Sequence, residues 1–466
     1  MNTQDTICAI ATAQGGAIGV IRISGKDAIA ITDRIFTPVG KHPLPLSERK
    51  AYTMAFGHIR QDDGEIIDEV LIGLFKSPHS YTGEDCVEIS CHGSSFILQQ
   101  VMQLLIRKGC RAAGPGEFTQ RAFLNGKMDL SQAEAVADLI ASSSAATHRM
   151  AMNQMRGGFS RELSALRERL LHLTSLMELE LDFSDHEELE FADRSELETI
   201  AGDIEKVISG LVHSFSVGNA LKNGIPVAIV GETNAGKSTL LNTLLNEEKA
   251  IVSDIHGTTR DVIEDTVNLS GITFRFIDTA GIRDTHDTIE NMGIARSFHK
   301  MEQAEIVLWV VDNTCAEAQI RQLSPRILPL CSSSNKQLII LLNKSDQVSA
   351  VPTKLSGLPE NTVTLSISAK EKTGIQELQN LLVKTASVPE LTSSDLIVTN
   401  VRHYEALSLA LEDIHRVQNG LQTHLSGDFI SQDLRECLFH LAEIVGGEIT
   451  ADEVLGNIFM KFCIGK

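Results

Sequence analysis

No stretch constrains the fold more than residues 226–239, Pro-Val-Ala-Ile-Val-Gly-Glu-Thr-Asn-Ala-Gly-Lys-Ser-Thr. The apolar run up to Val230 suits a buried strand, and Leu240, Leu241, Leu244 and Leu245 then recur at helical spacing. A G-x-x-x-x-G-K-S pattern between a strand and a helix predicts a phosphate-binding loop. Backbone N–H groups of Asn234, Ala235, Gly236, Lys237, Ser238 and Thr239 then face anionic oxygens at a helix N-terminus. Lys237 reaches the β- and γ-phosphates, and the Ser238 hydroxyl ligates Mg²⁺.

Four further elements follow in order. Gly257-Thr258-Thr259-Arg260-Asp261 sits where a switch segment meets the γ-phosphate, with Thr259 completing the Mg²⁺ shell, and Ser253, Asp254, Ile255 and His256 before it are counted with the GTP-binding candidates. Asp278-Thr279-Ala280-Gly281 ends a strand starting at Thr273; its carboxylate holds Mg²⁺ through water, and Gly281 offers a backbone N–H. Asn343-Lys344-Ser345-Asp346 follows the strands at 306–311 and 338–342, and Asp346 can accept from both N1–H and the 2-amino group of guanine. Adenine would leave that carboxylate unpaired, so GTP is preferred over ATP. Ser368-Ala369-Lys370 ends a last strand beside the base. Each element alone reads equally well as a turn or cap; their order and spacing together define a guanine-nucleotide site.

Small GTPases often carry a glutamine directly after Asp-x-x-Gly, whereas this chain has Ile282. Glu290 and Arg283 are the candidates for positioning water, against a bland reading of each as a surface charge.

Around this core the chain reads as multidomain, α/β plus all-α. Residues 1–125 are mixed α/β, with strands at Ile18–Ile23 and Val70–Phe75 and helical spacing from Phe96 to Ile106. Residues 126–220 open a helical domain with a capping-box pattern, Ser131-x-x-Glu134. There Phe159, Leu163, Leu166, Leu170, Leu173, Met177 and Leu181 predict a long amphipathic helix, and Asp182, Asp185, Glu187, Glu188 and Glu190 a solvated turn. Residues 221–385 alternate strand and helix, which implies a mainly parallel sheet. Helical texture returns over 386–466, at Leu407, Leu411 and Ile414, then Leu434, Leu438, Leu441 and Ile444. The α/β nucleotide domain is thus expected as an insertion in a helical domain.

A net charge of −20 counts against a broad nucleic-acid footprint. Eight cysteines without a C-x-x-C pair, no apolar run of membrane length and no signal-peptide opening suit a soluble, cytoplasmic protein. Cys91-His92 is a poor dyad, because adjacent strand residues face opposite sides.

Three further stretches carry a family resemblance: Gly19–Gly25 (Gly-Val-Ile-Arg-Ile-Ser-Gly) with Tyr81-Thr82-Gly83-Glu84-Asp85, the run Pro115–Lys127 (Pro-Gly-Glu-Phe-Thr-Gln-Arg-Ala-Phe-Leu-Asn-Gly-Lys), and the terminal Phe462-Cys463-Ile464-Gly465-Lys466. With the nucleotide motifs they make the chain resemble, over essentially its whole length, the MnmE (TrmE) family of tRNA-modification GTPases. The resemblance implies an N-terminal domain that dimerises and binds a 5-formyl- or methylene-tetrahydrofolate through Arg22, Glu88, Lys127 and Lys466. Bottom-up, each of these four reads as an exposed charge. It also implies a homodimer that works with the FAD-dependent protein MnmG, as a heterotetramer or larger complex. Together they would place an aminomethyl or carboxymethylaminomethyl group on C5 of the wobble uridine of certain tRNAs. K⁺, held by Asn234, Ser253, Ile255 and Thr258, would take the place of an arginine finger, and Glu290 would orient water. Glu232-Thr233 departs from the Arg-Pro usual in the family. Cys463 is open to two readings, a nucleophile or a buried structural thiol. Two rival functions stay in view: a regulatory switch of the ribosome-assembly kind, which needs no folate pocket, and a free-standing one-carbon transferase.

Overall fold

The computed structural model describes residues 5–13, 15–40, 43–182, 194–248, 265–277, 301, 303–333, 336–348, 358–359, 362–386, 396–447, 459, 462 and 465. The chain divides into two compact units, one of Met1–Ala141, Ala151–Ile208 and Glu405–Lys466, the other of Ser142–Met150 and Ser209–Tyr404.

Alternating burial marks the sheet of the first unit, as along Asp68–Leu74, where every second residue is buried although the intervening Leu71 is apolar too. Its elements are β1 (Ile7–Ile10), β2 (Ile18–Ser24), α1 (Ala28–Asp33), β3 (Phe36–Pro38), β4 (Thr53–Arg60), β5 (Ile66–Phe75), β6 (Cys86–His92), α2 (Ser95–Arg107) and β7 (Arg111–Ala112). The strand order is β3-β4-β5-β6-β2-β1-β7, antiparallel except for the β1–β7 pair. One face carries Ile21, Ile23, Ile72, Leu74, Val87 and Ile89, sealed by Leu98, Val101, Leu104 and Leu105 of α2. The other face is covered at its β1 end, where Ile7 and Ala9 pack with Phe118, and open over β4 and β5, where Met54 and Phe56 are exposed. Across it the register aligns Val20, Ser90, Leu71 and Phe56 in one row and Arg22, Glu88, Gly73 and Met54 in the next.

Helices α3 (Glu117–Leu124), α4 (Leu130–Ala141), α5 (Ala145–Met155), α6 (Gly158–Asp182) and α7 (Arg194–Asn223) follow. The cap of α4 is Asp129 rather than Ser131, since the Asp129 carboxylate accepts from the Gln132 N–H at 2.9 Å and from the Ser131 hydroxyl at 2.7 Å. Along α6 the six apolar positions from Phe159 to Met177 are each at most 4% exposed, as the spacing predicts. Of the acidic cluster after it, Asp185, Glu187, Glu188 and Glu190 lie outside the described residues.

The second unit holds β8 (Ile225–Val230), α8 (Lys237–Glu248), β9 (Asp265–Leu269), β10 (Ile272–Phe276), β11 (Ile306–Asp312), α9 (Ala316–Ser333), β12 (Gln337–Asn343), β13 (Val363–Ser366) and α10 (Ile375–Thr385). The order β13-β12-β11-β8-β10-β9 is parallel except at β9–β10. Both faces are covered, so the central strands are continuous apolar runs. Val227, Ile229, Leu308 and Val310 pack with Leu240, Leu244, Leu378 and Leu382 on one face. Ala228, Val230, Val307 and Trp309 pack with Ile320 and Ile327 on the other.

Helices α11 (Val401–Gln422) and α12 (Gly427–Val445) close the described chain. Leu411 and Leu438 are only half-buried; the stripe of α11 runs through Leu407, Ala410, Ile414, Val417 and Leu421 and includes the buried carboxylate Asp413.

Candidate functional site

At the C-terminal ends of the parallel strands the loop after β8 folds back on itself. Gly231 takes φ +147°, and a Cβ there would lie 2.2 Å from the Val310 carbonyl oxygen. Asn234 (φ +64°) and Gly236 (φ +99°) are left-handed, which turns successive N–H groups inward ahead of α8, whose first residue is Lys237. Lys237 Nζ donates to the carbonyls of Gly231 at 2.9 Å and Glu232 at 2.7 Å, so its ammonium arches over the loop. Ser238 is the next residue of the helix, at the end that favours anions. A chain of residues built this way fits a nucleotide phosphate with Mg²⁺.

The base loops are tied to it. The Asn343 amide donates to the Ala235 carbonyl at 2.8 Å and accepts from the Ala369 N–H at 3.0 Å, and the residue is 3% exposed. Asn343 therefore braces the phosphate loop against the last loop. The Thr243 hydroxyl bonds the Ala369 carbonyl at 3.0 Å, adding a second tie. Ser345 N–H donates to the Ile367 carbonyl at 3.1 Å, and the Ser368 hydroxyl donates to Asp346 Oδ1 at 2.6 Å. Asp346 is oriented but exposed, so the penalty against adenine arises once a base covers the carboxylate. Lys370 lies at the surface, 3.8 Å from Glu371. Ser253, Asp254, Ile255, His256, Gly257, Thr258, Thr259, Asp278, Thr279, Ala280, Gly281, Arg283 and Glu290 lie outside the described residues.

In the first unit Arg22 and Glu88 are cross-strand partners on the open face. Arg22 Nε and Nη2 reach Glu88 Oε1 at 2.9 and 2.8 Å, and Nη1 donates to the Gly465 carbonyl at 3.3 Å. The guanidinium also lies 5.4 Å from the Tyr81 ring centroid and 5.8 Å from that of Phe118. These two residues are paired and only partly exposed, contrary to their reading as free surface charges. Lys127 is exposed and donates to the Pro78 carbonyl at 3.0 Å, at the base of the loop that carries Tyr81. Cys463 and Lys466 lie outside the described residues.

The Pro115–Lys127 run has a second task that sequence alone missed. Arg121, 3% exposed, donates to Asp5, Glu84 and Glu117. Arg111 holds the other side of Asp5 and Glu117. The Arg111 bond keeps the Asp5 carboxyl below its ordinary pKa; burial pushes Glu117 up, but Arg111, the Gly114 N–H and Arg121 outweigh it and the net shift is downward. Gly116 is left-handed (φ +63°), and a Cβ there would lie 2.8 Å from both the Phe459 carbonyl oxygen and Phe462 Cβ. Phe459 and Phe462 join Phe123, Met128, Leu130 and Ala133 in one apolar cluster, which seats the C-terminal motif on this domain.

Cys91 is buried, and burial followed by the Asp68 charge raises its thiol pKa to about 11. His92 turns away and bonds Asp68 through Nδ1 at 2.7 Å, so the two make no dyad. Among the described residues no group of three or more His, Cys, Asp or Glu could hold a metal ion, and no helix is long and apolar enough to cross a membrane.

A phosphate loop, an Asn-Lys-x-Asp turn and a Ser-Ala-Lys turn meeting at one end of a mainly parallel sheet define a P-loop GTPase. The family described as MnmE helical domain matches residues 130–463, and that described as GTP-binding protein TrmE N-terminus matches residues 6–127. Proteins called tRNA modification GTPase MnmE are 66% identical in Bacteroides thetaiotaomicron, over 99% of this chain and 100% of that one, and 52% identical in Flavobacterium johnsoniae, over 100% of each. The chain belongs to the MnmE family of tRNA modification GTPases.

Proposed function

We propose that this GTPase is K⁺-stimulated and works with the FAD-dependent protein MnmG, adding a carboxymethylaminomethyl or aminomethyl group to C5 of the wobble uridine of certain tRNAs. Residues 221–385 form the G domain in this reading, residues 1–125 the folate-binding and dimerising domain, and 126–220 with 386–466 the helical domain. The cytoplasm is the expected compartment. Lys237 and the N–H groups of 234–239 bind the phosphates, Ser238 and Thr259 ligate Mg²⁺, and Asp346 with Lys344 reads guanine. Asn234, Ser253, Ile255 and Thr258 hold K⁺, whose charge offsets that developing between the β- and γ-phosphates. Glu290 orients water, and Arg283 is the second candidate for that role.

The observation that carries the modification role is the junction in the first unit, where the C-terminal Gly465 carbonyl meets Arg22 beside Glu88, Tyr81 and Phe118. A cation over two rings, with a carboxylate beside it, fits a planar heterocycle that bears N–H donors and an anionic tail. Arg22, Glu88, Lys127 and Lys466 would hold tetrahydrofolate there, which supplies the one-carbon unit. The open face of the same sheet exposes Met54 at 62%, Phe56 at 49% and Ile18 at 66%, an apolar patch suited to a second copy of the chain.

Two experiments test this reading. GTP hydrolysis should be much faster in K⁺ than in Na⁺ at equal ionic strength, and Asn234→Ala should lose that advantage; equal rates in the parent would remove the cation mechanism. 5-Formyl-tetrahydrofolate should bind the parent by calorimetry and bind Arg22→Ala at least about tenfold more weakly, by analogy with loss of a charged hydrogen bond. Unchanged affinity would displace the pocket.

A further inference from the structure

In the Asn-Lys-x-Asp turn the side chains of Asn343 and Asp346 are tied to the neighbouring loops, and that of Lys344 is held by an ion pair with the end of a strand. The Lys344 backbone is left-handed (φ +64°), an uncommon conformation for a residue with a side chain. Its Nζ reaches Asp312 Oδ2 at 2.5 Å, with the side chains 29% and 13% exposed. Asp312 closes β11, and the sheet register sets it directly beside Asn343 of β12. Its own carboxylate is fixed in turn: Oδ1 accepts from the Thr314 N–H at 2.9 Å and hydroxyl at 2.7 Å, while its N–H donates to Gln319 Oε1 at 2.9 Å. Burial works against the charge on Asp312, yet the bonds from Lys344 and Thr314 outweigh it and hold the carboxyl below its ordinary pKa.

We infer that Asp312 is a positioning residue for guanine-nucleotide binding, which acts by holding the Lys344 side chain extended across the base site before the nucleotide arrives. A lysine stem is long and rotamer-rich, so ordering it on binding costs affinity. A carboxylate held by a turn, on a backbone that a neighbouring helix holds through Gln319, removes most of that cost. Thr314 and Gln319 give Asp312 bonds that a mere surface ion partner would not need. The inference rests on the assignment of Lys344 to the base site.

The test is a double-mutant cycle read by release of a fluorescent GDP analogue from the full chain. Asp312→Asn keeps the Thr314 bonds and the shape but removes the charge that holds Lys344. Release should speed up about tenfold, the scale of one side chain left to be ordered on binding. Lys344→Ala should release faster still, and the double variant should be no faster than Lys344→Ala alone. Asp312→Glu should recover part of the loss. A double variant in which the two effects multiply would overturn the inference, because Asp312 would then act on something other than Lys344. Parental release from Asp312→Asn would overturn it too. Parental release from Lys344→Ala would instead remove the base-site assignment, and the inference with it. Melting of each nucleotide-free variant separates loss of fold from loss of positioning: an equal melting temperature with faster release supports the inference, and release that speeds up only in proportion to lost stability counts against it.

Discussion

The two sheets place their working residues in opposite ways. In the second unit the strands are covered on both faces, so nothing on a strand can meet a ligand, and the candidate residues crowd into loops at the strand ends. In the first unit one face of the sheet is open in part, and Arg22 and Glu88 project from the middle of strands on that face. A loop-borne site must be braced from loop to loop, which Asn343 and Thr243 do with neutral hydrogen bonds and Ser368 with a hydroxyl bond to the Asp346 carboxylate. A strand-borne site is positioned by its ladder, and what needs bracing is the loop and tail laid over it. That bracing is ionic: Arg121 joins the N-terminal Asp5, the Tyr81 loop at Glu84 and its own helix at Glu117.

Arg121→Met is the strongest way to break this comparison. Three carboxylates would lose a buried partner, with Arg111 left to serve two of them. Removing one member of a buried ion cluster costs about 3–5 kcal/mol. The chain has one tryptophan, Trp309, buried in β11 of the other unit, so its fluorescence follows that unit alone. Urea unfolding followed by far-ultraviolet dichroism should gain an early transition in Arg121→Met, while the Trp309 transition stays where it was. Coincident early transitions by both probes would show that the cluster does not belong to the first unit by itself.

This contrast also decides what could be read from the chain. The nucleotide motifs were legible because a loop site is contiguous: 234–239, 343–346 and 368–370 each carry their chemistry within a few residues. Asp312 was hidden at the end of an apolar strand, 32 residues from the Lys344 it bonds. Arg22 and Glu88 are 66 residues apart, and only strand register makes them a pair. The resemblance named both, but their salt bridge and the rings of Tyr81 and Phe118 had no local signal. The cap of α4 differs from the pattern for a smaller reason: Ser131 fits the capping box, yet Asp129 two residues earlier is the acceptor for the Gln132 N–H. On α11 the buried Asp413 interrupts the apolar stripe, so the spacing drew in Leu411 instead.

The gentler way to sharpen the comparison is acid. Asp5 and Glu117 have depressed pKa values in the folded chain, so their contribution is fully present above the unfolded values of about 4 and is lost as pH falls through the lower folded ones. Asp5 is part-exposed, which screens its share and keeps the effect below that of removing Arg121. In the second unit Asp312 has the same direction of shift, but it is one pair against a cluster of several charges. Lowering the pH from about 5 to about 3 should therefore move the dichroism-detected transition of the first unit to lower urea more than it moves the Trp309 transition. In Arg121→Met the gap between the two should narrow, because the carboxyls have lost one of the cations that depress them. A larger acid shift at Trp309 than in the first unit would mean that the ionic bracing is not concentrated around Arg121, and that the two sheets are held by the same kind of bond.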